Sequence, residues 1–340
     1  MRSRAGFVAG AAAILMTVAA TPASADPAGP TNYRSEVTSV NPESPGLEAR
    51  VVGGDAFLEV TVLPGTSALV QGYEGEPYLR FDPDGRVWAN RSSPAFWVNM
   101  DRNGLSPVPA TASPDATPEW VQVADGGSWS WHDHRIHWMS PDPPPTVGGD
   151  TEHEVLTWRV PIEVDGKPAT ILGKLTWFPS LPAWPWALVA TAVFALLVWQ
   201  GSRWVVIPAA LAATAAAALG LEVAQVTATP AGAGADALSI GVVAMSLVAA
   251  VGALGAKSRQ PRLADDLILL CAILMLVWSL RRIGAFAAPV LPIPVPEALA
   301  RAVLAASLGT SVAGIVVSFR RRVRSAQSVG SSLQEPQPEG

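Results

Sequence analysis

Hydrophobic positions along the chain follow two different rhythms, and the change between them falls near residue 182. Before it, apolar residues come in short alternating runs. Leu47–Val52 and Phe57–Leu63 alternate apolar with polar positions, the pattern of a strand with one buried face. Tyr78–Phe81 and Val87–Asn90 flank the turn sequence Asp82-Pro83-Asp84-Gly85, and Phe96–Met100 precedes Asn103-Gly104. Asp165-Gly166 joins the runs Val155–Val164 and Ala169–Trp177, a hairpin signature. Many short strands with regular turns predict an all-β, sandwich-like domain. Pro-rich stretches at residues 107–118 and 141–145 predict surface loops.

From Ala183 the pattern changes to long apolar runs parted by short polar gaps. Five candidate transmembrane helices follow, at about Ala183–Gln200, Trp204–Val226, Ala235–Ala256, Leu263–Ala285 and Pro296–Phe319. Each approaches the roughly 20 residues needed to cross a hydrocarbon core. The predicted class is therefore an all-β exported domain followed by an all-α membrane bundle.

The first 25 residues read as an export signal. Arg2 and Arg4 precede an apolar core at Ala5–Ala20, and Ala23-Ser24-Ala25 is an A-x-A cleavage site before Asp26. The predicted organisation is a signal at 1–25, an extracytoplasmic β domain at 26–182, a transmembrane domain at 183–319 and a cytoplasmic disordered tail at 320–340.

Charge sets the expected orientation. Arg203, Lys257, Arg259, Arg262 and the run Arg320-Arg321-Arg322 fall at one end of the spans. The opposite loops, Thr227–Gly234 and Phe286–Val295, hold no Lys or Arg. The positive-inside rule then places the β domain outside and the C-terminus in the cytoplasm. Residues 26–182 carry 21 acidic and 10 basic residues, a net charge of −11. Such a surface repels nucleic acid and attracts cations. The single cysteine, Cys271, lies in an apolar run, so the exported domain is expected to fold without disulfides.

Charged residues in the apolar runs are few, and pairing of Glu222 with Arg281 or Arg282, and of Glu297 with Arg301, is expected. Asn90-Arg91-Ser92 matches a glycosylation sequon. The chain has no phosphate loop, no nucleophile elbow and no nucleophile–base pair, so a non-catalytic role is expected.

The sharpest chemical signal is the string Trp129-Ser130-Trp131-His132-Asp133-His134-Arg135-Ile136-His137-Trp138-Met139, which holds three of the four histidines. Imidazole is a common ligand for copper, zinc and nickel, and thioethers add a preference for copper. His132, His134, His137 and Met139 are the candidate metal ligands, with a copper ion as the expected cofactor. On a regular strand His132 and His134 share one face while His137 and Met139 take the other. The three imidazoles reach one ion only if the strand bends or ends near Arg135. Asp133 and Arg135 are placed to form an ion pair. The spacing is near that of the H-x-H-x-D-H hydrolases, but Ile136 stands where their aspartate belongs. The competing expectation is a non-catalytic module that binds an envelope component or a partner protein.

The histidine string, with Asn32–Ser35 and Gly72–Phe81, resembles a family of actinobacterial membrane proteins with an exported β domain. That resemblance implies the same layout of β domain and helices. Leu156–Val160 followed by Asp165-Gly166 is more distantly similar to the last hairpin of periplasmic copper-resistance β-sandwich proteins, which implies copper binding. The N-terminal histidine that many of those proteins use is absent from Asp26.

Overall fold

The computed structural model describes residues 27–140, 142–145, 147–233 and 236–332. The expected signal at 1–25 and the last eight residues lie outside the described residues. The chain forms two compact units. One holds residues 27–181 with the short segments Ala228–Asp236 and Ala288–Pro292, and the other holds the remainder.

The first unit is built from antiparallel strands, as the alternating runs predict. A seven-stranded sheet has the order β1-β10-β9-β4-β5-β6-β7 and a second sheet the order β2-β3-β8. The strands are β1 Tyr33–Asn41, β2 Leu47–Val52, β3 Phe57–Val62, β4 Ala68–Gln71, β5 Pro77–Phe81, β6 Val87–Asn90, β7 Trp120–Ala124, β8 Ser128–Trp131, β9 His153–Val164 and β10 Lys167–Trp177. The predicted hairpin is present, with Val164 opposite Lys167. Its turn residues Asp165 and Gly166 both have positive φ, 49° and 71°, which suits the twist of the paired strands. One core lies between the sheets. Leu58, Val60 and Val62 of β3 meet Val70, Leu79, Phe81, Val160, Ile162, Ile171 and Leu175 of the larger sheet. Each such side chain contributes roughly 1.5–3 kcal/mol on burial. Gly173 sits opposite Trp158, and a Cβ there would stand 2.1 Å from the indole. The glycine thus makes room for a core tryptophan whose Nε1 donates to Ser35 Oγ at 2.8 Å.

Phe96–Met100 is not the expected strand. Pro94–Val98 forms a short helix, α1. Ser93 caps it by accepting from Ala95 N at 3.1 Å, and Pro94 fills its first turn. Cap and proline together outweigh the β-forming side chains that follow. Asn90 of the sequon is 2 % exposed and donates to Pro77 O at 2.7 Å, so its amide serves the fold.

The second unit contains α2 Trp184–Trp199, α3 Val206–Ala228, α4 Ala237–Ala256, α5 Pro261–Arg281 and α6 Glu297–Ser332. Among the described residues these five are long and apolar enough to cross a membrane. The last helix continues to Ser332, through residues assigned above to a disordered tail. Arg322 holds this extension to Asp266 at 2.5 Å, and Arg321 pairs with Asp265 at 3.6 Å. Small residues set the packing distances. A Cβ on Gly309 of α6 would stand 2.3 Å from Ala190 O of α2, and one on Gly314 3.0 Å from Ala272 of α5. The expected charge pairs form. Glu222 accepts from Arg282 Nη2 and from Trp278 Nε1, each at 2.7 Å, and Arg301 reaches Glu297 at 3.0 Å.

Candidate functional site

Strand β8 ends at Trp131, so the histidine string leaves the sheet before its first imidazole. A turn follows, closed by Ile136 N donating to Asp133 O at 3.0 Å. Three contacts shape it. Trp131 Nε1 donates to Asp133 Oδ2 at 2.9 Å. Arg135 grips the same carboxylate with two nitrogens, Nε to Oδ1 at 2.7 Å and Nη2 to Oδ2 at 2.6 Å. Its Nη1 also donates to Gln71 O at 3.2 Å. Ile136, fully buried, pins the turn to the β core. Burial opposes ionisation of Asp133, but the Arg135 charge and its hydrogen bonds hold the carboxyl below the usual range. The expected ion pair is therefore present, as the frame of a turn.

The frame sends the imidazoles to different partners. His132 is buried and stacks on Phe57, with ring centres 4.3 Å apart. Its Nδ1 meets Ala56 O at 2.6 Å. His134 lies over Tyr73 at 5.9 Å, and its Nε2 meets Asp101 O at 3.1 Å. His137 is 2 % exposed and lies edge-on to His134, centres 5.3 Å apart. Neither His137 Nδ1 nor Nε2 has a hydrogen-bond partner, although both are buried. Burial first, then the Arg102 charge and the imidazoles of His134 and His132, push its pKa down to about 3. It is a neutral imidazole at any ordinary pH.

Met139 is exposed, 39 % accessible. His153 stands at the start of β9, near Gly148 O and Thr151, with its ring 6.3 Å from Trp177. The strand-face geometry expected above is replaced by a turn that brings His134 and His137 together, commits His132 to Phe57 and Ala56, and leaves Met139 at the surface. Among the described residues no group of three or more His, Cys, Asp or Glu is arranged to hold a metal ion.

Two loops complete the site, and the sequence reading missed both. Asp55, in the β2–β3 connection, is fully buried. Its Oδ2 accepts from Arg102 Nη2 at 2.6 Å, while Oδ1 makes no well-formed hydrogen bond. Burial raises its pKa, against the pull of Arg102 and the nearby Thr31 hydroxyl. Arg102 follows Asp101, whose carboxylate binds the amides of Asn103 at 2.8 Å and Leu105 at 3.1 Å, so the loop is internally tied. Gly104 permits close packing on His134, since a Cβ there would stand 2.8 Å from Cε1. Nothing in the spacing of Asp55 and Arg102 along the chain marks them as partners. Asn103-Gly104 signals a turn and no more.

No protein-family model, no curated protein and no solved structure matches this chain.

Proposed function

We propose that this is a multi-pass membrane protein whose β unit lies outside the cytoplasm and binds a transition-metal ion, copper first, through His134 and His137 with His132 beside them. The observation that carries this reading is His137, whose two ring nitrogens are buried and unpartnered. Buried polar atoms in folded proteins nearly always have partners, and leaving one without costs about 1–3 kcal/mol. A bound ion would satisfy such a nitrogen, and a neutral imidazole is the form that ligates. The Asp101 carbonyl supports the same reading, because a hydrogen bond from Nε2 leaves the His134 lone pair on Nδ1. Metal-binding histidines commonly donate their other ring N–H to a carbonyl in this way. The acidic surface of residues 26–182 favours cations in general.

The test is calorimetric titration of the detergent-solubilised full chain with Cu(I), Cu(II) and Zn(II). Saturable binding tighter than about micromolar is expected, lost in His134→Ala and His137→Ala but retained in His153→Ala. Binding unchanged when both imidazoles are removed would end the metal reading. The absence of a preassembled three-ligand group among the described residues favours the second reading, a non-catalytic module for an envelope component or partner protein. That reading leads if no ion binds.

A further inference from the structure

The charges behind the proposed orientation gather at one end of the helical unit. Residues 200–205, 256–266 and 320–324 hold eight basic and two acidic residues, a net charge of +6. Observed contacts tie these segments together. Arg321 Nη2 donates to Gly201 O at 3.2 Å, which binds α6 to the turn after α2. A Cβ on Gly201 would stand 2.9 Å from Val317 of α6, so the turn lies close against that helix. Lys257, just past the end of α4, places its Nζ over the Trp204 ring, 4.6 Å from the centre. Both carboxylates at this end are taken, Asp265 by Arg321 and Asp266 by Arg322.

Five cations are left over. Arg203, Arg259, Arg262, Arg320 and Arg324 are exposed and have no carboxylate partner among the described residues. Exposed apolar side chains stand beside them in the chain. Val205, Leu263, Phe319 and Val323 are each 43–58 % accessible. On α6 the two kinds run as adjoining stripes, since Phe319 and Val323, like Arg320 and Arg324, are four residues apart. The Trp204 Nε1 is buried with no hydrogen-bond partner among the described residues, beside the Lys257 charge. An unpaired donor next to a cation favours an anion.

We infer that this end of the helical unit binds anionic phospholipid, with headgroup phosphates at the unpaired arginines and Lys257 and acyl chains against the apolar side chains between them. The inference rests on the membrane reading above and is independent of metal binding. Juxtamembrane cations are attracted to the anionic headgroups of the leaflet they face. The positive-inside rule asks only that such charges stay on one side. Here the surplus of cations over carboxylates, the ties between segments and the interleaved apolar side chains suit a molecule with both a phosphate and a tail. A free phosphate uses the cations and leaves the apolar side chains uncovered. Arg321 and Arg322, spent on the two aspartates, are positioning residues that hold the α6 extension to α5.

For the test, the full chain is reconstituted into phosphatidylcholine vesicles with phosphatidylglycerol as the minor lipid. Flotation confirms incorporation. After extraction in mild detergent, mass spectrometry measures the lipid retained per protein. Phosphatidylglycerol should be enriched at least about fivefold over its share of the vesicle, the factor expected of a single juxtamembrane cation. Arg203→Gln/Arg259→Gln should lose most of that enrichment, while Arg203→Lys/Arg259→Lys keeps it. Arg159→Gln/Lys167→Gln, which removes two exposed cations from the β unit, should also keep it. Should Arg203→Gln/Arg259→Gln extract poorly, the parent decides: short-chain phosphatidylglycerol must raise its melting temperature by more than short-chain phosphatidylcholine or inorganic phosphate does. Equal retention of the two lipids by the parent overturns the proposal. So does enrichment unchanged in Arg203→Gln/Arg259→Gln, enrichment lost as fully in either control, or inorganic phosphate stabilising as well as phosphatidylglycerol. A chain that does not float with the vesicles removes the membrane reading and the lipid proposal with it. A chain that floats without preferring phosphatidylglycerol removes the lipid proposal alone.

Discussion

His137 carries two obligations that pull apart. As a core group it is a poor choice, since its ring nitrogens are buried without partners. An apolar side chain of similar size removes that cost. His137→Leu should therefore leave the unloaded protein as stable or up to about 2 kcal/mol more stable at neutral pH, while removing metal binding; chemical denaturation followed by tryptophan fluorescence measures the first effect. The same residue sets an acid limb. Its folded pKa is about 3, far below the ordinary imidazole value of 6.5. Between those values the unfolded chain takes up a proton that the folded one refuses. Stability from this group is full above about pH 6.5 and declines as pH falls to about 3, by up to about 1.4 kcal/mol per pH unit. The slope should flatten in His137→Leu, and an unchanged slope would show that other groups govern it. Asp133 and Arg135 illustrate the opposite case, a buried carboxylate with both oxygens bonded, to Arg135 and to the Trp131 indole. Arg135→Ala leaves Asp133 charged and unpaired and should cost about 3–5 kcal/mol, measured as a shift in the denaturation midpoint.

Elements in this chain are decided by few residues where two conformations compete. Phe96–Val98 has strand-forming side chains, yet Ser93 and Pro94 start a helix there. In the helical unit the deciding residue is Gly309, whose missing Cβ lets α6 approach the Ala190 carbonyl of α2. Gly309→Val must push the helices apart or fail to pack. A loss of about 2 kcal/mol or more is expected, read as a lowered thermal midpoint and weaker recovery of monodisperse protein in detergent. Gly220, which has open space where a Cβ would be, is the control, and Gly220→Ala should be tolerated.

At the scale of the whole chain, the β unit is not made from one continuous stretch. Thr31 and Val290 exchange backbone hydrogen bonds at 3.0 and 3.1 Å, and Ser130 N donates to Ala231 O at 2.9 Å. Both partner segments belong to this unit although they lie far along the chain. Residues 27–181 expressed alone should give a β-rich circular dichroism spectrum and a cooperative melt, with a midpoint below that of the β unit in the full chain. A mainly helical spectrum, or no cooperative melt, would contradict the architecture. The proposed orientation is checked separately. A C-terminal reporter should be active only in the cytoplasm.

Much of this architecture was legible in the sequence because it follows from short-range pattern. Alternation over six residues marks β2, Asp165-Gly166 marks the β9–β10 hairpin, and apolar runs of about 20 residues mark the five long apolar helices. These signals are local, since a strand face, a two-residue turn and a helix length depend on neighbours in the chain. The histidine string could be found in the same way, and so could the Asp133–Arg135 pair. Which way each imidazole points could not. That was decided by Trp131 and Arg135 binding one carboxylate, by Phe57 and Ala56 claiming His132, and by the Asp101 carbonyl claiming His134. Asp55 and Arg102, 47 residues apart, meet only because separate loops converge on the histidine turn. Burial and pairing at that point depend on three segments at once, so tertiary structure alone determined them.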